Sequence, residues 1–313
     1  YLCGQWPQQH GTLCNFDAES HHPLDPRSTV FPRLLAETGR TLDYLGRCHI
    51  NRNATPLDYG FDTYLSDDEY CRWRKERGLE PQPFITPWFG NVDPYIRPEE
   101  SKLAWLCGRV IERLRERVKE GRPFYISMDT LEPHLPNIVP EPYNSMYPPE
   151  TIPPWGSFSD TFRNKPYIQE QQLRTWGIEK YTWKDWAPIV SRYLGETSLM
   201  DVQIGRILDE LDALGVADDV LVVYTSDHGD MCGGHRMLDK HYVMYDDVCR
   251  IPLMMRWPAA IPAGTRHRGF VSNAIDLPAT WLDLCSARKP DSFAGISLRA
   301  AMSGDATPVR EDI

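Results

Sequence analysis

Residues 220–226 read VLVVYTS, and Asp227 and His228 follow them directly. A short, uncharged run dominated by β-branched residues is typical of a strand buried inside a sheet. Two further runs, TLDYLG at residues 41–46 and PFYISM at residues 123–128, predict two more strands. The polar side chains that could carry chemistry follow these three strands, so the strands determine where a site would lie.

A helical pattern precedes each predicted strand. Apolar side chains recur every three or four positions in residues 101–120, and Gly121 follows as a stop signal. Residues 32–39 and a long segment ending at Gly215 show the same kind of pattern. Helices that alternate with strands predict the α/β class, with a largely parallel central sheet covered by helices on both faces. In such sheets, ligands bind beyond the carboxyl ends of the strands.

Composition places the 313-residue chain among globular proteins, with 41% hydrophobic and 25% charged residues. No apolar run approaches the length of about 18 residues that a membrane-spanning helix needs, so we expect no membrane span. Acidic residues outnumber basic ones by 44 to 34, which argues against nucleic acid as a partner. The eight cysteines form no CxxC pair, which favours unpaired thiols in the cytoplasm, with the periplasm as the alternative.

Residues 136–186 interrupt the helix–strand pattern with interleaved prolines and aromatic residues. A flexible linker would contain few aromatic residues, so we expect an ordered excursion from one α/β domain that covers residues 1–313. Together with a helical segment at residues 66–78, this excursion is predicted to form the rim of the site. Its aromatic faces would suit a quaternary ammonium group, a sugar or an aryl group, and these three alternatives stay open.

The strand at residues 220–226 leads into a candidate cation site. Asp227 supplies a carboxylate and His228 an imidazole, and a turn at Gly229 would let both reach one cation. The alternative is a helix-capping aspartate next to a surface histidine. Lys240 follows a glycine-rich turn that could return its ammonium group over an anion near that cation. Taken alone, Lys240 would be an ordinary solvated charge.

Cationic or titratable groups also follow the other two strands. His134 lies between two prolines, in a stiff loop that suits a proton donor or an anion ligand, with an incidental loop histidine as the alternative. Arg47 and His49 come just after TLDYLG, and residues two apart in an extended segment point to the same side. The sequence leaves two alternatives open: Arg47 and His49 both face one cleft, or they are two separate, solvated groups on the surface. Together, the groups at the three strand ends predict one electropositive pocket for a small oxyanion.

Four stretches of the sequence resemble motifs of the sulfatase family, which is part of the alkaline phosphatase superfamily. LCGQWPQQHG at residues 2–11 resembles L-T-G-x-x-P-x-x-H-G, and GRCH at residues 46–49 resembles G-K-W-H. Residues 123–136 resemble the block P-F-F-x-x-x-S…P-H-x-P, and residues 222–258 resemble the block that contains V-V-F-T-S-D-H-G-D. The last match is the most specific. Within the family, the sequence resembles bacterial choline-sulfatase-like enzymes and arylsulfatases, with phosphonate monoester hydrolases as cousins.

The resemblance implies a bound divalent cation, which we expect to be Ca²⁺, with Mg²⁺ and Mn²⁺ as alternatives. Asp227 and His228 match family positions that ligate this ion together with two acidic residues near the N-terminus. His134 and Lys240 match positions that hold the sulfate and assist the leaving group. Asn15 matches a position that contacts the substrate in some relatives.

The resemblance also implies a formylglycine nucleophile, made from Cys or Ser in C/S-x-P-S-R. Its hydrate attacks sulfur, the alcohol leaves, and the sulfate is expelled when the hydrate collapses to the aldehyde. His49 matches the residue that takes the proton during this collapse. Arg47 stands where the family has Lys, and because Arg does not lose its proton, its implied role is electrostatic only.

The motif C/S-x-P-S-R does not occur in the 313 residues. By the family's spacing we expect the nucleophile upstream of Tyr1 and a small C-terminal subdomain after Ile313, so that this sequence is an internal portion of a longer enzyme. The sequence predicts a sulfuric ester hydrolase that acts on a small-molecule sulfate ester. The alternatives are a phosphonate or phosphodiester hydrolase and a non-catalytic relative that binds an anion. A homo-oligomer is compatible with all three hypotheses.

Overall fold

The computed structural model describes residues 1–14, 22–83, 88–240, 243–305 and 307–311. The strands among them are β1 (Thr41–Gly46), β2 (Thr63–Ser66), β3 (Asn91–Val92), β4 (Phe124–Asp129), β5 (Ile138–Val139), β6 (Val222–Thr225) and β7 (Leu253–Arg256). The helices are α1 (Pro7–His10), α2 (Phe31–Ala36), α3 (Glu69–Glu76), α4 (Lys102–Glu120), α5 (Tyr167–Trp176), α6 (Trp183–Ala213), α7 (Asp246–Cys249), α8 (Asn273–Leu284) and α9 (Arg299–Met302).

The central sheet has the strand order β2-β1-β4, and both pairs are parallel. The register places Thr41 opposite Phe124 and Gly46 opposite Asp129, so β1 and β4 end together. The strand predicted at residues 41–46 is confirmed, and β4 runs one residue beyond the predicted PFYISM, to Asp129. The parallel sheet with its covering helices confirms the predicted α/β class.

Strand β6 differs from the expectation that it joins the parallel sheet. In the part of the chain that the structure describes, it pairs with β7 in antiparallel fashion, with Val222 opposite Arg256. Val222 nevertheless packs in the same apolar cluster as Ile126 of β4, and Val223 packs in the same cluster as Tyr125. Because neighbouring residues of a strand point to opposite faces, β4 and β6 lie between the same two apolar layers.

Helices cover both faces of the sheet. On one face, Val110 of α4 and Leu211 of α6 pack in a cluster with Leu45 of β1. On the other face, α2 and α8 pack against β1 and β4 through a second cluster. Helix α4 begins at Lys102, where the Ser101 hydroxyl accepts a hydrogen bond from the backbone N–H of Ala104 at 3.2 Å, and it ends before Gly121, the predicted stop signal.

The proline-rich segment at residues 136–186 contains short 3₁₀ turns, helix α5 and the first turn of α6. Its buried Trp186 belongs to an apolar cluster that also contains Leu173 of α5 and Met237 and Leu238 from the loop after β6. This segment therefore packs directly on the loop that carries Lys240. Helix α3 is shorter than the helical segment predicted at residues 66–78. None of the described helices is both long and apolar enough to cross a bilayer.

Candidate active site

The loops after β4 and β6 bring together Lys240 and His134. The Lys240 ammonium Nζ is hydrogen-bonded to Nε2 of the His134 imidazole. The carboxylate of Asp239 lies beside this contact, with Oδ1 3.0 Å from Lys240 Nζ and 3.8 Å from His134 Nε2. Three charged or titratable side chains thus meet at one point, two of which the sequence singled out.

A hydrogen bond to the main chain sets the tautomer of His134. Its Nδ1 atom lies 2.7 Å from the carbonyl oxygen of Leu135. Since a carbonyl oxygen can only accept, Nδ1 carries a proton and Nε2 is the atom that exchanges a proton with its surroundings. The exchangeable nitrogen therefore faces Lys240.

The pair Asp227 and His228 lies next to this contact. The imidazole rings of His228 and His134 are 5.9 Å apart between centroids, at an interplanar angle of 70°. His228 Nδ1 lies 2.8 Å from the carbonyl oxygen of Gly229 and carries a proton by the same reasoning. His228 Nε2 therefore presents a lone pair, 3.5 Å from Oδ2 of Asp227.

The turn that carries Asp227 and His228 is fixed by hydrogen bonds and by a close main-chain approach. The Ser226 hydroxyl donates to the carbonyl of His228 at 2.7 Å, and the side-chain amide of Asn273 donates to the carbonyl of Ser226 at 2.5 Å. A Cβ atom at Gly229 would lie 2.0 Å from the carbonyl oxygen of Asp247. Only glycine fits there.

Backbone hydrogen bonds also close the loop that returns Lys240 to the site. The N–H of Met231 donates to the carbonyl of Asp239 at 2.8 Å, and the N–H of Gly233 donates to the carbonyl of Met237 at 2.9 Å. Burial raises the pKa of the Asp230 carboxyl at the start of this loop, whereas the hydrogen bond from the Cys232 N–H at 2.7 Å opposes the rise.

A further carboxylate, Asp129, lies at the end of β4. Burial raises its pKa, hydrogen bonds from Tyr44 and Ser127 oppose the rise, and the negative charge of Asp227 adds to it. This electrostatic coupling is consistent with β4 and β6 ending at the same side of the molecule.

Arg47 and His49 follow β1 at this side, and the contacts among His134, Lys240 and His228 are made without them. The Arg47 backbone N–H donates to the carbonyl of Asp129 at 2.7 Å. Its guanidinium lies 3.9 Å from the carboxylate of Asp67 and 3.8 Å from that of Asp68. His49 is exposed. The roles expected of both residues stay predictions, and Asn15 lies outside the described residues.

The structure adds a buried charged cluster that the sequence analysis missed. Lys102 Nζ lies 2.9 Å from Glu132, two residues before His134, and 3.5 Å from Asp67. Nearby, the Asn137 amide donates to Glu196 at 2.7 Å. Burial raises the pKa of Glu196 to about 8, and the charge of Glu132 adds to the rise. The sequence signal was weak, because each of these residues alone is typical of a solvated surface.

Asp227 and His228 have the chemistry of ligands for a divalent cation. The carboxylate and the Nε2 lone pair face the same space, where a cation would relieve their mutual repulsion. Within the described ranges, no group of three or more His, Cys, Asp or Glu residues could hold an ion by itself. The two residues therefore fit as part of a cation site that needs further ligands.

The fold and this site define an α/β protein in which a lysine contacts a histidine beside an acid–imidazole pair. The family model described as Sulfatase matches residues 2–287. The chain belongs to the sulfatase family.

Individual relatives agree with this assignment. The chain is 27% identical over 257 residues to an arylsulfatase of Clostridium perfringens, covering 74% of this chain and 49% of that protein. It is 29% identical over 287 residues to the sulfatase YidJ of Escherichia coli, covering 86% and 54%. The structure of the phosphonate monoester hydrolase SpPMH from Silicibacter pomeroyi has the same fold, with a TM-score of 0.79 at 22% identity, covering 97% and 66%. The chain spans about half the length of these two curated relatives.

Proposed function

We propose that the protein containing this chain hydrolyses a sulfate monoester, and that the reaction takes place where Lys240 meets His134. The observation that carries the proposal is the hydrogen bond between Lys240 Nζ and His134 Nε2, beside the ring of His228. This arrangement provides an anion-binding ammonium group and a proton-exchanging imidazole next to a cation-ligating pair. The arylsulfatase name of a relative supports sulfate as the group that is removed.

Lys240 and His134 act on the two ends of the ester bond. The Lys240 ammonium binds an anionic oxygen of the sulfate through a charge-assisted hydrogen bond. His134 Nε2 accepts a hydrogen bond from the Lys240 ammonium and relays a proton from it to the alcohol oxygen as the S–O bond breaks, while its Nδ1 stays bonded to the carbonyl of Leu135. Asp239 keeps the Lys240 ammonium in place at 3.0 Å.

Asp227 and His228 would hold a divalent cation, for which Ca²⁺ is the first candidate and Mg²⁺ and Mn²⁺ are the alternatives. When bound, the ion offsets negative charge on the sulfate oxygens. Its remaining ligands would come from outside the 313 residues. Asp227 is accessible for this role, since 84% of its side chain is exposed.

The nucleophile proposed for this reaction is a formylglycine supplied by a segment outside the 313 residues. Arg47 contributes positive charge near it, His49 accepts a proton when the sulfate is released, and Asn15 contacts the substrate. Peptide mass spectrometry of the full-length protein tests the modification directly. An unmodified Cys or Ser at that position, in protein that is active, would contradict the formylglycine part of the proposal.

A second candidate function is the hydrolysis of a phosphonate monoester, which the fold likeness to SpPMH favours. Sulfate and phosphonate monoesters are both tetrahedral anions, and Lys240 and His134 could serve either. The test is kcat/KM of the full-length enzyme for 4-nitrophenyl sulfate and 4-nitrophenyl methylphosphonate, with Lys240→Ala and His134→Ala as variants. We expect the wild-type enzyme to prefer the sulfate ester, and we expect both variants to lose most of their activity on it. A strong preference for the phosphonate would replace the sulfatase proposal, and binding without turnover of either ester would indicate a non-catalytic anion binder.

A further inference from the structure

An exposed tryptophan lies against His134. The ring centroids of Trp88 and His134 are 5.7 Å apart, with the ring planes inclined at 57°. Trp88 keeps 40% of its surface exposed, although tryptophan side chains are on average well buried. An exposed indole beside the proposed proton donor is placed to touch the group attached to the leaving oxygen.

The Trp88 ring is held in place by a second indole. Trp88 and Trp176 stack at an interplanar angle of 12° with 5.7 Å between centroids, which is an offset-stacked arrangement. We call these two residues the indole pair. Trp176 ends helix α5 and also contacts the ring of Phe89 at 6.4 Å.

The indole pair is anchored in the core. Phe89 is 7% exposed, and its ring meets that of Tyr181 edge-on at 5.7 Å. Tyr181 contacts the fully buried Trp186 at 6.2 Å. The guanidinium of Arg192 donates to the carbonyl of Phe89 at 3.0 Å and so holds the main chain next to Trp88. A ligand that stacks on a surface fixed in this way loses less binding free energy to ordering that surface.

We propose that the indole pair binds the alcohol part of the ester, and that this alcohol is a neutral ring compound, either an aryl alcohol or a pyranose. The proposal rests on the proposed function, because it takes the leaving oxygen to lie at His134. Aryl and pyranose rings share a flat apolar face, which matches the face of an indole, whereas a linear alkyl chain offers no such face. A cationic alcohol fits less well, since the ammonium of Lys240 already lies against His134.

The experiment measures kcat/KM of the full-length enzyme and of Trp88→Ala and Trp88→Phe for four sulfate esters. These are 4-nitrophenyl sulfate, methyl glucopyranoside 6-sulfate, hexyl sulfate and choline sulfate. Tyr167→Ala is the matched control, because Tyr167 is 64% exposed at the other end of the helix that carries Trp176. We expect Trp88→Ala to lower kcat/KM for at least one ring ester by about five- to tenfold and to leave hexyl sulfate nearly unchanged. Trp88→Phe should keep most of the activity on that ring ester.

The two ring esters distinguish an aryl from a pyranose substrate. An equal loss on the ring esters and on hexyl sulfate would overturn the proposal, because Trp88 would then serve only to place His134. A loss confined to choline sulfate would also overturn it, in favour of a cationic alcohol. If the wild-type enzyme hydrolyses only phosphonate monoesters, the sulfatase proposal fails. The indole pair is then still tested by comparing kcat/KM of the wild type and of Trp88→Ala on an aryl phosphonate monoester and on a hexyl phosphonate monoester.

Discussion

The carboxylate of Asp239 lies 3.0 Å from the ammonium of Lys240, its neighbour in the chain. The main chain of Asp239 is in the left-handed region, with φ of 62°, a conformation that Asp tolerates better than most residues. Asp239 is only 1% exposed, so water and salt screen this ion pair weakly. Asp239 therefore fixes where the Lys240 ammonium lies.

Replacing Asp239 by Asn should impair catalysis without removing any group that touches the substrate. Asn keeps the shape but loses the charge, so the Lys240 ammonium is no longer held against His134. We expect Asp239→Asn to lower kcat/KM for a sulfate ester by about tenfold or more. Asp209→Asn, at an exposed position on α6, is the control and should behave like the wild type. Unchanged kinetics in Asp239→Asn would show that the ion pair does not position Lys240.

The stability of the fold should fall as pH rises through the range in which Glu196 titrates. Its pKa is raised to about 8 in the folded protein, mainly by burial. A group whose pKa is higher in the folded state contributes stability that is fully present below its unfolded pKa of about 4.3 and is lost as pH rises through the folded value. Between about pH 5 and about pH 9, the Tm of Glu196→Gln should therefore fall less than the Tm of the wild type.

Thermal unfolding at the two pH values checks this prediction. Glu112→Gln, at an exposed position of α4, is the matched control and should follow the wild type. Parallel Tm curves for Glu196→Gln and the wild type would mean that Glu196 is ionised in the folded protein throughout this range.

Calcium should stabilise the full-length protein through Asp227. A ligand that binds only the folded state adds about 2.7 kcal/mol at a concentration 100 times its Kd. We expect added Ca²⁺ to raise the Tm of the wild type and of Asp209→Asn, and chelation to reverse the rise. Asp227→Asn should lose most of the Tm increase. An undiminished increase in Asp227→Asn would place the ion elsewhere.

Two glycines of helix α6 should respond oppositely to substitution by alanine. A Cβ atom at Gly195 would lie 2.1 Å from the carbonyl oxygen of Tyr143, whereas nothing lies within 4 Å of a Cβ atom at Gly205. Gly205→Ala should stabilise the fold by about 1 kcal/mol through helix propensity, and Gly195→Ala should destabilise it by about 2 kcal/mol or more, because the main chain must shift. Chemical denaturation measures both, and a stabilised Gly195→Ala would contradict the packing of residue 143 on α6.

The sequence predicts those parts of the fold whose signals are local. Strand β1 and helix α4 lie where the apolar pattern and Gly121 place them, because burial on one face and the glycine stop signal act within a few residues. The antiparallel partner of β6 was not predicted. The four residues of β7, LMMR, do not alternate between apolar and polar side chains clearly enough to predict a strand.

The candidate site is predictable only in part. His134, Lys240 and His228 follow predicted strands, and the structure brings them together. Asp239 and Trp88 were missed, because their contacts depend on a left-handed turn and on packing between segments far apart in the chain. No local pattern encodes either feature.

Trp186 links two parts of the molecule that a protein engineer would otherwise treat as exchangeable modules. It packs at once on helix α5 and on Met237 and Leu238, in the loop that carries Lys240. A loop transplant that replaced residues 136–186 with the corresponding segment of another sulfatase would leave the Lys240 loop without its matching surface. Substrate range in this protein should therefore evolve by coordinated changes in both segments.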